Sequence, residues 1–267
     1  MIRPSEIQKK ANRVGVRDQQ IEKDYILSWI LLGVSKHPLL SRILVFKGGT
    51  VLKKVYFDDY RYSEDLDFTF VNDEEREIVA KKFEETFDFI REEANISLQI
   101  VDQNEHVDGG MNFYISYIGP LGGQGANKKV KVDISKGEKL VFEPVQKKVI
   151  INYSDLEEHH LLCYSLEEIL IEKLRSTIQR MQPRDFYDIW YLLEHHEMDL
   201  DFYTNEFKVK CTSRQVDPEV FHKNLEKRIP QYASRWEKSM RNQIQNLPDF
   251  EQVEREVKRH LRRFMLG

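Results

Sequence analysis

Asp65 and Asp67 stand at alternate positions of Asp65-Leu66-Asp67-Phe68-Thr69-Phe70, whose other residues read as a core strand. Side chains alternate across a strand, so both carboxylates leave the same face. Two anions held that close call for a compensating cation. Magnesium suits the task, because it takes one or two carboxylates and completes its octahedron with phosphate oxygens and water. Shortly upstream, Lys47-Gly48-Gly49-Thr50 follows the apolar run Ile43-Leu44-Val45-Phe46. A strand that ends in a glycine pair and turns into a helix offers backbone N–H groups to an anion, and the missing side chains let phosphates approach the main chain. Lys47 adds an ammonium, and Thr50 and Ser63 add hydroxyls. A glycine pair after a strand is by itself an ordinary turn. Followed by Ser63-x-Asp65-x-Asp67, it points to a site for magnesium and a nucleoside triphosphate.

A third carboxylate belongs to Lys131-Val132-Asp133-Ile134, where Lys131 and Asp133 share one face of a β-like run. If that strand lies beside residues 66–70, Asp133 joins Asp65 and Asp67 as a three-carboxylate set for one or two Mg²⁺ ions, the equipment of phosphoryl or nucleotidyl transfer. Asp65 and Asp67 would then be shared ligands and Asp133 the ligand on the side of the incoming nucleophile. Further on, Lys173 lies on a helical run and can meet triphosphate oxygens as a point charge. Arg184, Asp185 and Asp188 open the next helix. Arg184 suits a phosphate contact, and either Asp185 or Asp188 suits a general base or a group that orients Lys173.

The elements that must hold these residues follow from periodicity. Ile21, Tyr25, Ile26, Trp29 and Ile30 recur at helical spacing, and Pro38 closes an N-terminal helical stretch. Residues 43–46 and 66–70 read as neighbouring strands, with a helix over 50–56 between them. Asn72-Asp73 starts an amphipathic helix reaching about Glu93, its apolar side formed by Val79, Phe83, Phe87 and Ile90. Residues 96–101, 111–117, 130–134 and 147–151 then alternate with period two between glycine-bearing turns. From Ser165 the chain reads as helical. Ser165-Leu166-Glu167-Glu168 forms a capping box, Pro183 opens a helix, and further helices begin near Pro218, Pro230 and Asp249. The expected fold is α/β (α+β): a mixed-sheet domain with N-terminal helices over 1–160, then a helical domain over 161–267.

Composition narrows the function. A hydrophobic fraction of 40% beside a charged fraction of 32% describes a globular chain, and neither a membrane-length apolar run nor a signal peptide is visible, so a cytoplasmic location is expected. The formal charge of -4 gives no global attraction to nucleic acid, which leaves RNA binding to local basic patches such as Arg255, Lys258, Arg259, Arg262 and Arg263. Cys163 and Cys211 lack metal-ligand spacing and read as buried free thiols.

Taken together, Lys47-Gly48-Gly49-Thr50-x-Leu52, Arg61-x-Ser63-x-Asp65-Leu66-Asp67, Lys131-Val132-Asp133, Glu168-x-Leu170-x-Glu172-Lys173 and Arg184-Asp185-x-x-Asp188 resemble the AbiEii/AbiGii toxin family. That family belongs to the DNA polymerase β-like nucleotidyltransferases and includes the MenT toxins. The resemblance runs from about residue 20 to 200. It implies a type IV toxin of a toxin–antitoxin or abortive-infection pair, with a cognate antitoxin, that uses Mg²⁺ and a nucleoside triphosphate to modify an RNA such as the tRNA 3′ end. By motif position it assigns Ser63, Asp65, Asp67 and Asp133 to the catalytic strands, Lys173 to phosphate binding, and Asp185 or Asp188 to the last acidic position. Gly48-Gly49 stands where many nucleotidyltransferases have Gly-Ser, so Thr50 or Ser63 is expected to replace the missing hydroxyl. The residues themselves leave open a protein or small-molecule hydroxyl as acceptor, and a nucleotide-binding module without turnover.

Overall fold

In the computed structural model, residues 1–71, 78–107, 109–123, 125 and 128–265 are described. The chain divides into two units. The first comprises Met1–Glu138, Pro144–Cys163 and Asn242–Gln245, and the second Lys139–Glu143, Tyr164–Arg241 and Asn246–Gly267.

A seven-stranded mixed sheet forms the first unit: β1 (Leu44–Lys47), β2 (Asp65–Phe70), β3 (Ser97–Glu105), β4 (Met111–Ile118), β5 (Lys129–Ser135), β6 (Val145–Lys148) and β7 (His160–Cys163). Their spatial order is β3-β4-β5-β2-β1-β7-β6. β2 runs antiparallel to β1 and parallel to β5. Strict alternation assigns the two faces. Leu66, Phe68, Phe113, Ile115, Val130, Val132 and Ile134 are buried on one side, where the Phe83 ring of α5 (Val79–Ala94) meets Phe68 and Phe113. The other side carries the aspartates. The Asn72-Asp73 start expected for α5 lies outside the described residues.

The N-terminal helical stretch is two helices, α1 (Pro4–Val14) and α2 (Asp18–Lys36), followed by the short α3 (Leu40–Ile43). Gly15, at φ +66°, makes the break in the left-handed region that favours glycine. α2 is buried on nearly all sides, which forces its polar residues to find partners within the unit. Asp24 pairs with Lys54 at 2.7 Å, both about fully buried, and accepts the Tyr153 hydroxyl at 2.7 Å. Burial alone would raise the Asp24 carboxyl, but Lys54 outweighs it and holds it below its ordinary value. After β1 come α4 (Gly48–Val51) and a π-helical turn, Leu52–Tyr56, in place of one helix over 50–56.

Helices make up the second unit: α6 (Leu166–Gln179), α7 (Pro183–Glu194), α8 (Thr204–Ser213), α9 (Phe221–Met240) and α10 (Phe250–Leu261). Ser165 caps α6 by accepting the Glu168 N–H. The reciprocal half of the expected capping box is replaced: the buried Glu168 carboxylate accepts the Val141 and Phe142 N–H groups at 2.9 Å each and the Lys210 ammonium at 2.7 Å. Those partners come from distant sequence, so a local motif could not anticipate them. Pro230 does not start a helix but lies inside α9. Its ring sits on the exposed side, where water can serve the carbonyl one turn back that loses its donor. The helix expected from about Pro218 is α9, led in by a 3₁₀ turn, Pro218–Val220, that runs directly into Phe221. β7 and α8 were not legible in the sequence.

Candidate active site

Backbone register decides which polar residues meet. Lys47 of β1 lies opposite Asp67 of β2, and Asp67 lies opposite Asp133 of β5. The row continues to Asn112 on β4. Directly opposed residues share a sheet face, so Lys47, Asp67 and Asp133 stand side by side across three strands. The adjoining row places Asp65 opposite Lys131. Asp65, Asp67 and Asp133 therefore form a patch on the polar face, all three half-buried.

The glycine turn packs tightly against this patch. Gly48 has φ +79°, and a Cβ on it would lie 2.3 Å from Asp67 Oδ2. Glycine is needed there twice over, for its conformation and for the space Asp67 occupies. A Cβ on Gly49 would lie 2.5 Å from Arg61 Nη2. The space left by the glycine side chains thus holds this chain's own carboxylate and guanidinium. Thr50 Oγ1 donates to the Asp65 carbonyl at 2.5 Å, which ties α4 to the start of β2. Ser63 is buried in the extended approach to β2, and its carbonyl faces Gln20 Nε2 at 3.5 Å.

Cations lie among the carboxylates. Lys47 is buried, with Nζ donating to Ser135 Oγ at 2.9 Å and pairing with the buried Glu138. Lys131 Nζ meets Asp133 Oδ2 at 2.5 Å. Partial burial lowers the Lys131 amine's affinity for its proton, but the hydrogen bond and charge of Asp133 outweigh that and raise its pKa above the ordinary lysine value. Glu138 carries no local signal in the sequence. It lies beyond the end of β5, and only the fold brings it to Lys47.

The chemistry of the donor set fits a hard divalent cation: three carboxylates, two on alternate residues of one strand and the third directly across on its parallel neighbour. Among the described residues no three acidic, histidine or cysteine side chains already converge as a metal cage. Asp133 is turned to Lys131 and Asp67 lies against Gly48.

In the second unit, α6 and α7 bring Lys173, Asp185 and Asp188 together. Lys173 Nζ lies 2.7 Å from Asp185 Oδ1 and 2.7 Å from Asp188 Oδ2, all three residues buried. Arg180 covers Asp185 from outside with Nε 2.8 Å from Oδ2. Burial would raise the Asp185 carboxyl, yet Lys173 and Arg180 together hold it below its ordinary value. A carboxylate so stabilised is a weak base, which favours orienting Lys173 over abstracting a proton. Arg184 is half-buried at the start of α7.

A strand ending in a glycine turn, a second strand with alternate aspartates and a third aspartate on its parallel neighbour lie together on one sheet face, as the sequence resemblance to nucleotidyltransferases implies. The chain belongs to the nucleotidyl transferase AbiEii toxin family of type IV toxin–antitoxin systems, whose family model matches residues 29–257. Among solved structures it is similar to MenT4, a nucleotidyltransferase toxin from Mycobacterium tuberculosis H37Rv, with a TM-score of 0.63, 15% identity, and coverage of 97% of this chain and 88% of that one. It is also similar to JHP933 from Helicobacter pylori, with a TM-score of 0.59, 17% identity and 92% of each chain covered. At such identities the likeness is one of fold. No curated protein matches the sequence. Among the described residues no helix is long and apolar enough to cross a membrane.

Proposed function

We propose that this toxin transfers a nucleoside monophosphate from a nucleoside triphosphate to an RNA acceptor such as the tRNA 3′ end, with Mg²⁺ bound by Asp65, Asp67 and Asp133, in the cytoplasm and under the control of a cognate antitoxin. The observation that carries the reading is the register of Asp67 with Asp133, beside Asp65 on the same face. In this reaction the acceptor hydroxyl oxygen bonds to the α-phosphorus, the bond to the bridging oxygen breaks, and pyrophosphate leaves with that oxygen. Divalent metal bound at such carboxylates activates the attacking oxygen and neutralises charge on the leaving group. Asp65 and Asp67 would be the shared ligands of the metal, and Asp133 would hold it on the side of the incoming nucleophile. The backbone of Gly48 and Gly49 receives the phosphates. Lys47, Thr50 and Ser63 fix the walls of that turn through Glu138, the Asp65 carbonyl and the approach to β2. By motif position Lys173 is assigned to phosphate binding, and Arg184 suits a further phosphate contact. Asp188 and Asp185 hold the Lys173 ammonium in place.

The test is incubation of the purified protein with Mg²⁺, each labelled nucleoside triphosphate in turn, and total tRNA, beside Asp65→Ala. Label on tRNA that vanishes in the variant is the expected result. Label transferred equally by the variant, or found only on protein, overturns the assignment. Asp65 is half-buried at the strand start, and removing one anion from a cluster relieves repulsion. The variant is therefore expected to melt close to the wild type.

A further inference from the structure

The basic tail of the sequence folds as the outer ridge of α10. The apolar residues of this helix, Phe250, Val253, Val257 and Leu261, are all buried. At a helical turn of about 100° per residue, Arg255, Arg259 and Arg262 fall within an arc of about 60° opposite that buried stripe, and all three are exposed. Lys258 flanks them, also exposed, and Arg263 follows just past the helix. The carboxylates of the same stretch are engaged or set apart. Glu256 accepts the Trp190 Nε1–H of α7 at 2.6 Å, Glu254 pairs with Lys258 at 2.5 Å, and Glu251 stands in the first turn, where a helix favours an anion. Arg259 reaches Glu194 of α7, which His260 shares at 2.6 Å. Cations in the last turn suit the helix dipole, but that effect fades within a turn and does not account for Arg255.

We propose that this ridge grips the phosphate backbone of the RNA acceptor, with Arg255 and Arg262 as its outer contacts and Arg259 between them. The inference rests on the reading that the acceptor is RNA. Arginine presents a planar fork that meets phosphate oxygens two at a time. Arg255 and Arg262 are seven residues apart, about 10 Å along the helix axis, which covers about three successive phosphates of one nucleic-acid strand. The ridge offers no apolar anchor, because every apolar side chain of α10 is buried. A helix lying on a membrane would turn those side chains outward into the lipid, and a protein partner would find no aromatic or aliphatic hot spot among the charges. Phosphate contacts carry no base information, so the grip is independent of sequence. It supplies locally the attraction that a net charge of -4 withholds globally.

The test is the affinity of the purified protein for total tRNA across a series of salt concentrations, beside melting curves and labelled-nucleotide transfer. Arg255→Gln combined with Arg262→Gln should melt like the wild type and bind tRNA about 10-fold more weakly, the scale of lost charge-assisted contacts. The slope of log affinity against log salt should fall by about 1.5, since each phosphate contact contributes about 0.7–0.9. Arg255→Lys combined with Arg262→Lys keeps both charges and should keep the slope. Lys9→Gln combined with Lys81→Gln removes two exposed charges from the first unit and should bind as the wild type does. Wild-type affinity and slope in the glutamine pair, a lowered melting temperature with an unchanged slope, or an equal loss in the Lys9 and Lys81 control overturns the ridge as the RNA contact while leaving the transfer reaction standing. A wild-type protein that binds no tRNA even at low salt overturns the RNA acceptor and this inference with it.

Discussion

Gly48→Ala tests whether the glycine turn sets the position of Asp67. Two effects separate. The first is backbone strain: alanine at φ +79° costs about 1–2 kcal/mol, partly offset by about 0.4–1 kcal/mol because the unfolded chain loses freedom. The second is displacement. The new Cβ would fall 2.3 Å from Asp67 Oδ2, where real contacts do not fall under 3.0 Å, so the carboxylate must retreat. Asp67 sits in register between Lys47 and Asp133, and a shift on the scale of 1 Å at a reacting centre costs about 100-fold in rate. Gly123→Ala is the control, since Gly123 has φ +74° and a Cβ there would meet nothing within 4 Å. It carries the same strain and no displacement. Thermal melts and initial rates of labelled-nucleotide transfer would be compared. Gly48→Ala should melt only a few degrees low yet lose about 100-fold in rate, while Gly123→Ala keeps its rate. Full activity in Gly48→Ala, or an equal loss in Gly123→Ala, would refute the reasoning.

Other perturbations test the buried charges. Lys210→Met leaves the 1% exposed Glu168 carboxylate without its cation, and should cost about 3–5 kcal/mol, read as a lower denaturant midpoint for the second unit. Lys10 has its pKa lowered to about 8, by burial first and then by repulsion from Lys54, Lys53 and Arg13 that Asp24 only partly offsets. Between pH 8 and its unfolded value of 10.5 the unfolded chain holds that proton and the folded chain does not, so stability from this group rises with pH across that window. Lys10→Met should accordingly melt higher than wild type at pH 7, with the advantage shrinking towards pH 10; a constant difference would be evidence against it. Burial pushes the Cys163 and Cys211 thiols up to about 12, so a thiol reagent at pH 8 should label neither until the protein is unfolded.

The sequence by itself picked out the candidate chemical residues and determined most of the elements that present them. Alternate aspartates in an apolar strand, a glycine pair after another strand, and helical repeats of buried residues are local patterns whose meaning is set by strand and helix period. Asp65 and Asp67 share a face because a strand alternates, whatever lies around it. Cys163 and Cys211 are buried free thiols, as their isolation suggested. The helix break at Gly15, the continuity of α9 through Pro230 and the short strand β7 escaped that reading, because local propensity is weak beside tertiary packing.

The partners were decided by the tertiary structure. That β2 runs parallel to β5 with Asp67 opposite Asp133 follows from how the sheet is ordered, which no periodicity contains. That the glycine pair makes room for Asp67 and Arg61, that Lys47 finds Glu138, that Glu168 serves Lys210 instead of its own helix cap, and that Gln243 holds Arg61 are all long-range choices. Each answers the same physical demand. A charge or polar group taken out of water must find a partner, and in a folded chain the nearest one in space is seldom the nearest in sequence.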